Sequence, residues 1–316
     1  MSAFIIMLKN VLVFVLLAVP GWLMVKTKLL KSQQSDVLSK TLQYVGLPFL
    51  VLNSLLGVSF DGKLLKVIGI SAVIGIVYMM FLFFLSYPLT KGEEKPKTRG
   101  MMQFCSICTN NGFLGIPLAA AVFPTQPLVV TSLVILNIVS LIFFNTFGIF
   151  LVSGDKSAIQ IKKAVANPVL IVFVLGIILN LLGVGELIPE IGTYSSYLGG
   201  LVTPLCMIIL GMKLGSVSFV SLFKSWKTYY VALLKLVFVP VLITGVAVAC
   251  YYAFSMPKEI IFGTFIAFAL PSATLGIVFA DNYGGDTENG VAFTLGNTLL
   301  SIVTIPLLYG LLVALL

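Results

Sequence analysis

Two polar runs interrupt apolar stretches of this 316-residue chain, and together they carry groups suited to binding an anion. The first, Asn110-Asn111-Gly112-Phe113-Leu114-Gly115-Ile116-Pro117, lies within residues 101–123. The second, Ala269-Leu270-Pro271-Ser272-Ala273-Thr274-Leu275-Gly276, lies within residues 260–280. A proline inside an apolar helix removes a backbone donor and crowds the preceding turn. Glycines beside it ease unwinding and let a ligand approach the backbone. The half-helix after each break offers free N–H groups at the positive end of its dipole. Two such ends meeting near the bilayer midplane form an anion site without a charged side chain. Asn110, Asn111, Ser272 and Thr274 add hydrogen-bonding groups for a carboxylate or a coupling ion. Gly112, Gly115 and Ala273 complete the set, with Pro117 and Pro271 holding the crossover open.

Composition sets the surroundings. The chain is 59% hydrophobic and 9% charged, with a mean hydropathy of +1.13, as a polytopic helical membrane protein requires. It contains no histidine, so the commonest metal ligand and neutral-pH acid–base group is missing. Lys9 is followed by an apolar run to Val25 without a small-residue cleavage site, which reads as a retained first span. The net charge of +8 is spread over short loops and points to orientation in the bilayer rather than to nucleic acid. Cys105-x-x-Cys108, Cys206 and Cys250 fall in apolar stretches and read as packing residues.

Windows of about 20 residues give ten candidate spans: 4–25, 37–60, 64–89, 101–123, 128–152, 164–184, 191–214, 229–254, 260–280 and 291–316. The basic residues sort by side. Lys26, Lys28, Lys31, Lys40, Lys91, Lys95, Lys97, Arg99, Lys156, Lys162, Lys163, Lys213, Lys224 and Lys227 make fourteen on one face, against Lys9, Lys63, Lys66 and Lys258 on the other. The excess places the first set in the cytoplasm and both termini outside. The loop 281–289 falls on the cytoplasmic side without a base.

Five spans per half give opposite orientations. Residues 1–155 and 156–316 then form two inverted repeats, with the interruptions at corresponding places, as in carriers that bind near the midplane. Tyr44-Val45-Gly46-Leu47-Pro48 answers Leu198–Pro204, Pro117 answers Pro271, and Asn137 answers Asn297. Asn137 and Asn297 either face the site or link helices. Pro20, Pro48, Pro204 and Pro240 lack polar neighbours and read as kinks.

All eleven acidic residues lie at span ends or in loops, which argues against a cation exchanger with midplane carboxylates. Lys235 lies inside a span, about 9 Å along the helix from Tyr229 at 1.5 Å per residue. That is close enough to snorkel to the cytoplasmic interface; its alternative role is to attract anions or to pair with Asp281.

At these residues the sequence resembles the auxin efflux carrier family over essentially its whole length. The resemblance rests on Asn111–Leu118, on Gly200–Leu205 through Leu210–Leu214, on Leu234-Lys235-Leu236-Val237-Phe238-Val239-Pro240, and on Leu270-Pro271-Ser272-Ala273. It implies the fold of bile-acid symporters and sodium/proton antiporters, an all-α polytopic protein in which spans four and nine cross at their breaks. It also implies scaffold helices at about 4–60 and 164–214, and transport helices at about 64–152 and 229–316. The family's substrate asparagine falls on Asn110 or Asn111. The implied cargo is an organic anion such as indole-3-acetate, malate or malonate. With only residues 153–163 between the halves, the chain looks like a compact prokaryotic member.

The expected function is secondary transport of a small organic anion by an elevator-type displacement in the cell membrane, with Asn53 and Thr203 facing the site from the scaffold. The absence of a nearby arginine favours a monocarboxylate. Rivals are a sodium-coupled uptake symporter of bile-acid type and a ligand-sensing membrane module. An enzyme is not expected, since no nucleophile–base pair can be named. No cofactor or metal is expected, the coupling ion (Na+ or H+) stays open, and the expected partners are the anion and the bilayer, with a homodimer left open.

Overall fold

The computed structural model describes residues 3–159, 162 and 166–316. Lys163 and Ala164, placed above in a basic loop and at the start of a span, lie outside them. Helices dominate, as they must where apolar surroundings offer the backbone no other hydrogen-bond partner. Among the described residues the β pairing is limited to one isolated bridge, Thr109 with Ser272.

We number the principal helices α1 (Ala3–Lys26), α2 (35–56), α3 (Gly62–Thr90), α4a (Pro96–Ile107), α4b (Asn111–Val122), α5 (Pro127–Ser153) and α6 (Pro168–Leu181). They continue with α7 (Pro189–Gly215), α8 (Trp226–Phe254), α9a (Lys258–Ala269), α9b (Leu275–Tyr283) and α10 (Thr287–Leu315). Six of them, α1, α3, α5, α7, α8 and α10, are long and apolar enough to cross a membrane. The other four windows hold α2, the short helix α6 and the broken pairs α4 and α9. Starts follow local chemistry: Asp61, Asn167, Ser225 and Asp286 cap α3, α6, α8 and α10. Pro96, Pro127, Pro168 and Pro189 open helices where their missing N–H costs nothing.

The prolines act differently from one another. Pro48, Pro117 and Pro240 each follow a widened π turn, at Leu42–Gly46, Asn111–Gly115 and Leu234–Phe238. The wider turn moves the carbonyl that would clash with the ring. Pro117 therefore sits inside α4b, past the gap at residues 108–110, whereas Pro271 lies within the gap of α9.

Packing separates the helices into two groups. In the first, α1 lies against α7, and α2 lies against α6 and α7. A side chain at Gly211 would overlap the Ala18 carbonyl, and one at Gly21 the Ile208 carbonyl, so these backbones meet directly. Asn180 of α6 donates to the carbonyls of Leu55 and Val58 at the end of α2, both at 2.7 Å. The second group, α3–α5 with α8–α10, is tied by Ser71–Ser132 (2.8 Å), Tyr230 to the Leu89 carbonyl (2.6 Å), Thr98 to Asp286 (2.6 Å), Lys63–Glu259 (2.5 Å) and Lys227–Glu93. Among the described residues no side-chain hydrogen bond or ion pair joins one group to the other. Their seam is apolar packing, chiefly of α1 along α10 and α4b, and of α2 along α5.

Candidate functional site

α4a ends at Ile107 because Cys108, Thr109 and Asn110 leave helical geometry, and α9a ends at Ala269 before the extended Leu270. The two gaps pair through their backbones: Asn110 N–H donates to the Pro271 carbonyl (2.9 Å), and Ala273 N–H to that of Cys108 (3.0 Å). Each break thereby supplies the partners that the other has lost. Gly115 permits the crossing, since a Cβ there would come within 2.7 Å of Leu270 Cδ1.

Beside the crossover lies a recess enclosing about 510 Å³ of empty space, part of it open to solvent. Thr109, Asn110, Asn111, Gly112 and Phe113 form one wall, and Ala273, Thr274 and Leu275 the next. Asn137, Leu141 and Phe144 of α5 close the side, and Gln43, Leu47, Asn167 and Val169 face them from α2 and α6. None of these lining residues is charged. The first turns of α4b and α9b lie in the walls, so their free N–H groups and positive dipole ends border the space.

The candidate residues divide by position. Asn110, Asn111, Gly112, Asn137, Ala273 and Thr274 line the recess. Asn111 Nδ2 lies 3.5 Å from Ser140 Oγ, while its Oδ1 is buried without a donor. Ser272 stands behind the wall, donating to the Cys105 carbonyl (2.5 Å) and accepting from Asn297 Nδ2 (2.7 Å). Gly115, Pro117 and Pro271 shape the crossing and do not line the space. Asn53 and Thr203 are half-buried on the first group and also lie outside the recess wall.

Lys235 does not snorkel. It is fully buried, and its Nζ donates to Thr109 Oγ1 (2.6 Å) and to the Phe268 carbonyl (3.1 Å) at the two breaks. Nor does it pair with Asp281, which is exposed on α9b. Its axial position allowed either direction, and the face of α8 turned toward the crossover decided between them. Gln43 and Asn167 are wall residues that the motif reading missed. Asn167-Pro168 carried a helix-start signal, but that signal does not report which space the cap borders.

The family model described as membrane transport protein matches residues 5–309. The chain belongs to that family. It is also 28% identical over 308 residues to a protein described as an uncharacterized transporter from Methanothermobacter thermautotrophicus, covering 94% of this chain and 95% of that one. The family agrees with the auxin efflux carrier resemblance of the motifs. This membrane transport protein is accordingly a multi-pass membrane transporter and not an enzyme.

Proposed function

We propose that this membrane transport protein carries a small organic anion, with a carboxylate seated in the recess beside the crossover. The observation that carries the reading is the wall itself: two half-helix N-termini and the amides of Asn110, Asn111 and Asn137 border a space free of acidic side chains. Those groups favour negative charge, and the absence of an arginine fork favours one carboxylate over two. Gln43 and Asn167 supply polar contacts from the opposite wall.

The ten-helix, two-repeat arrangement is part of the same proposal. Helices α1, α2, α6 and α7 serve as scaffold, and the other six as the transport body. The distribution of polar ties supports an elevator displacement, because hydrogen bonds tie helices within each group, with ion pairs added in the second, while the seam between them is apolar. Sliding along such a seam breaks no polar contact among the described residues. A second recess on the seam, lined by Val11, Phe14, Met207 and Leu210 against Leu118, Ile302 and Ile305, is almost wholly apolar. It therefore does not compete for the anion. The substrate recess takes its scaffold wall from Gln43 and Leu47, in the third and fourth turns of α2, and from the start of α6, on the side of the basic loops. We read this as a cytoplasm-facing state in the cell membrane, with both termini outside.

One observation favours a second reading, a sodium-coupled symporter. The Oδ1 atoms of Asn111 and Asn297 are buried without donors, and oxygens so placed suit a cation.

The test is a thermal-shift screen of the purified protein with indole-3-acetate, malate, malonate and simple monocarboxylates, followed by flux of any hit in proteoliposomes. The expected result is stabilisation by at least one carboxylate that Asn111→Ala removes. If no carboxylate binds, or Asn111→Ala and Pro271→Ala both carry wild-type flux, the proposal fails.

A further inference from the structure

The two breaks produce four helix ends, and their charges are handled separately. The N-termini of α4b and α9b border the recess. The C-terminal turns of α4a and α9a, where carbonyls without intrahelical donors gather negative potential, do not line it. There Lys235 Nζ bonds the Phe268 carbonyl in the last turn of α9a and Thr109 Oγ1 just beyond α4a. Lys235 is fully buried and is not part of the recess wall. No acidic side chain hydrogen-bonds or pairs with it among the described residues, so helix ends and a hydroxyl are its counter-charge. An ammonium in such a place is costly to keep.

We propose that Lys235 is a positioning residue whose ammonium acts as a tethered cation. It occupies the spot where a free cation would otherwise neutralise the C-terminal ends of α4a and α9a, and it leaves only the positive ends of α4b and α9b for the anion. This rests on the reading of the recess as the anion site. Thr109 connects the two sides, since its hydroxyl accepts from Lys235 while the residue also lines the recess. Truncating Lys235 would leave the Phe268 carbonyl and Thr109 Oγ1 as hard oxygen donors around a vacated position that adjoins the recess. Sodium suits such donors, whereas choline is too large for the space.

The test compares thermal unfolding of the purified protein in NaCl and in choline chloride at equal concentration. Wild type and Lys235→Arg should unfold within about 1 °C in the two salts, because the tethered charge already fills the position. Lys235→Ala should gain a sodium-specific rise of about 2–4 °C at 200 mM salt, the shift expected for a cation bound with a dissociation constant of order 10 mM. A merely structural lysine would lower stability equally in both salts, so equal unfolding temperatures for Lys235→Ala overturn the proposal. A sodium-specific rise in wild type that persists in Asn111→Ala and in Asn297→Ala overturns it as well, and that arm stands if Lys235→Ala does not fold. The assay contains no substrate, so its failure is separate from failure of the carboxylate screen.

Discussion

Asn297 donates through Nδ2 to Ser272 Oγ at 2.7 Å, and Ser272 donates in turn to the Cys105 carbonyl at 2.5 Å. One asparagine on α10 thus holds the gap of α9 against the last turn of α4a. Its counterpart by sequence position, Asn137 on α5, has no such link and lies in the recess wall, where a Cβ on Gly112 would come 3.6 Å from its Oδ1. The matched asparagines have taken different work: one fixes the crossover, and the other faces the space beside it.

The Asn297–Ser272 link should behave as a unit. Asn297→Ala leaves Ser272 without its donor in a fully buried setting and should cost about 1–3 kcal/mol. Ser272→Ala should cost a similar amount. The double variant should cost less than the sum by about 1 kcal/mol, the usual sign of a shared contact. Unfolding of the purified protein in denaturant measures all three; strict additivity would show that the two side chains act independently.

The sequence pattern located the crossover because proline, glycine and small polar residues are expensive in an apolar helix without a use. It mislocated the details. In α4 the proline marks the far side of a π turn, and the gap falls on Cys108–Asn110, so Asn110 is the one residue of the interrupting run that lies in it. Lys235 stays open between snorkelling and an inward role in the sequence, because the rise along a helix is readable from numbering, while the face it turns inward depends on neighbours brought from α4 and α9. Asn53 missed the recess for a related reason. It lies six residues beyond the wall residue Leu47, which is about 9 Å further along α2 at 1.5 Å per residue. Gln43 and Asn167 meet the break only through tertiary packing, and no local pattern announces that.

The glycines predict a contrast. At Gly211 a methyl group would run into the backbone carbonyl of Ala18, whereas at Gly115 it meets only the tip of Leu270. A backbone neighbour cannot turn aside, so Gly211→Ala should force α1 from α7 and cost about 3 kcal/mol, at the upper end of overpacking. Gly115→Ala should cost about 1 kcal/mol, with Leu270 changing rotamer. If the two variants unfold at the same temperature, the α1–α7 contact is looser than this geometry requires.

Acid should loosen the second group of helices at its basic-loop end. Burial alone would raise the Glu93 carboxyl, but the hydrogen bond and charge of Lys227, with help from Lys95, outweigh it and hold the group below its ordinary value. Asp286 follows the same logic: burial raises it, and hydrogen bonds from Thr98 and Asn289 with the charge of Lys227 bring it below the usual range. For a carboxyl held lower in the folded state than in the unfolded one, the stabilisation is present above the unfolded value. It disappears as pH falls through the folded one. Both ties should therefore be intact at pH 7 and weaken only below about pH 4. At neutral pH Glu93→Gln, which breaks an ion pair with Lys227, and Asp286→Asn, which weakens hydrogen bonds to a carboxylate, should each lower Tm by about 1–3 °C. The double variant should show a flatter Tm between pH 6 and about pH 3 than wild type. Thermal unfolding across that range is the measurement, and an unchanged pH profile in the double variant would place the acid-sensitive contacts elsewhere, with Lys63–Glu259 the next to examine.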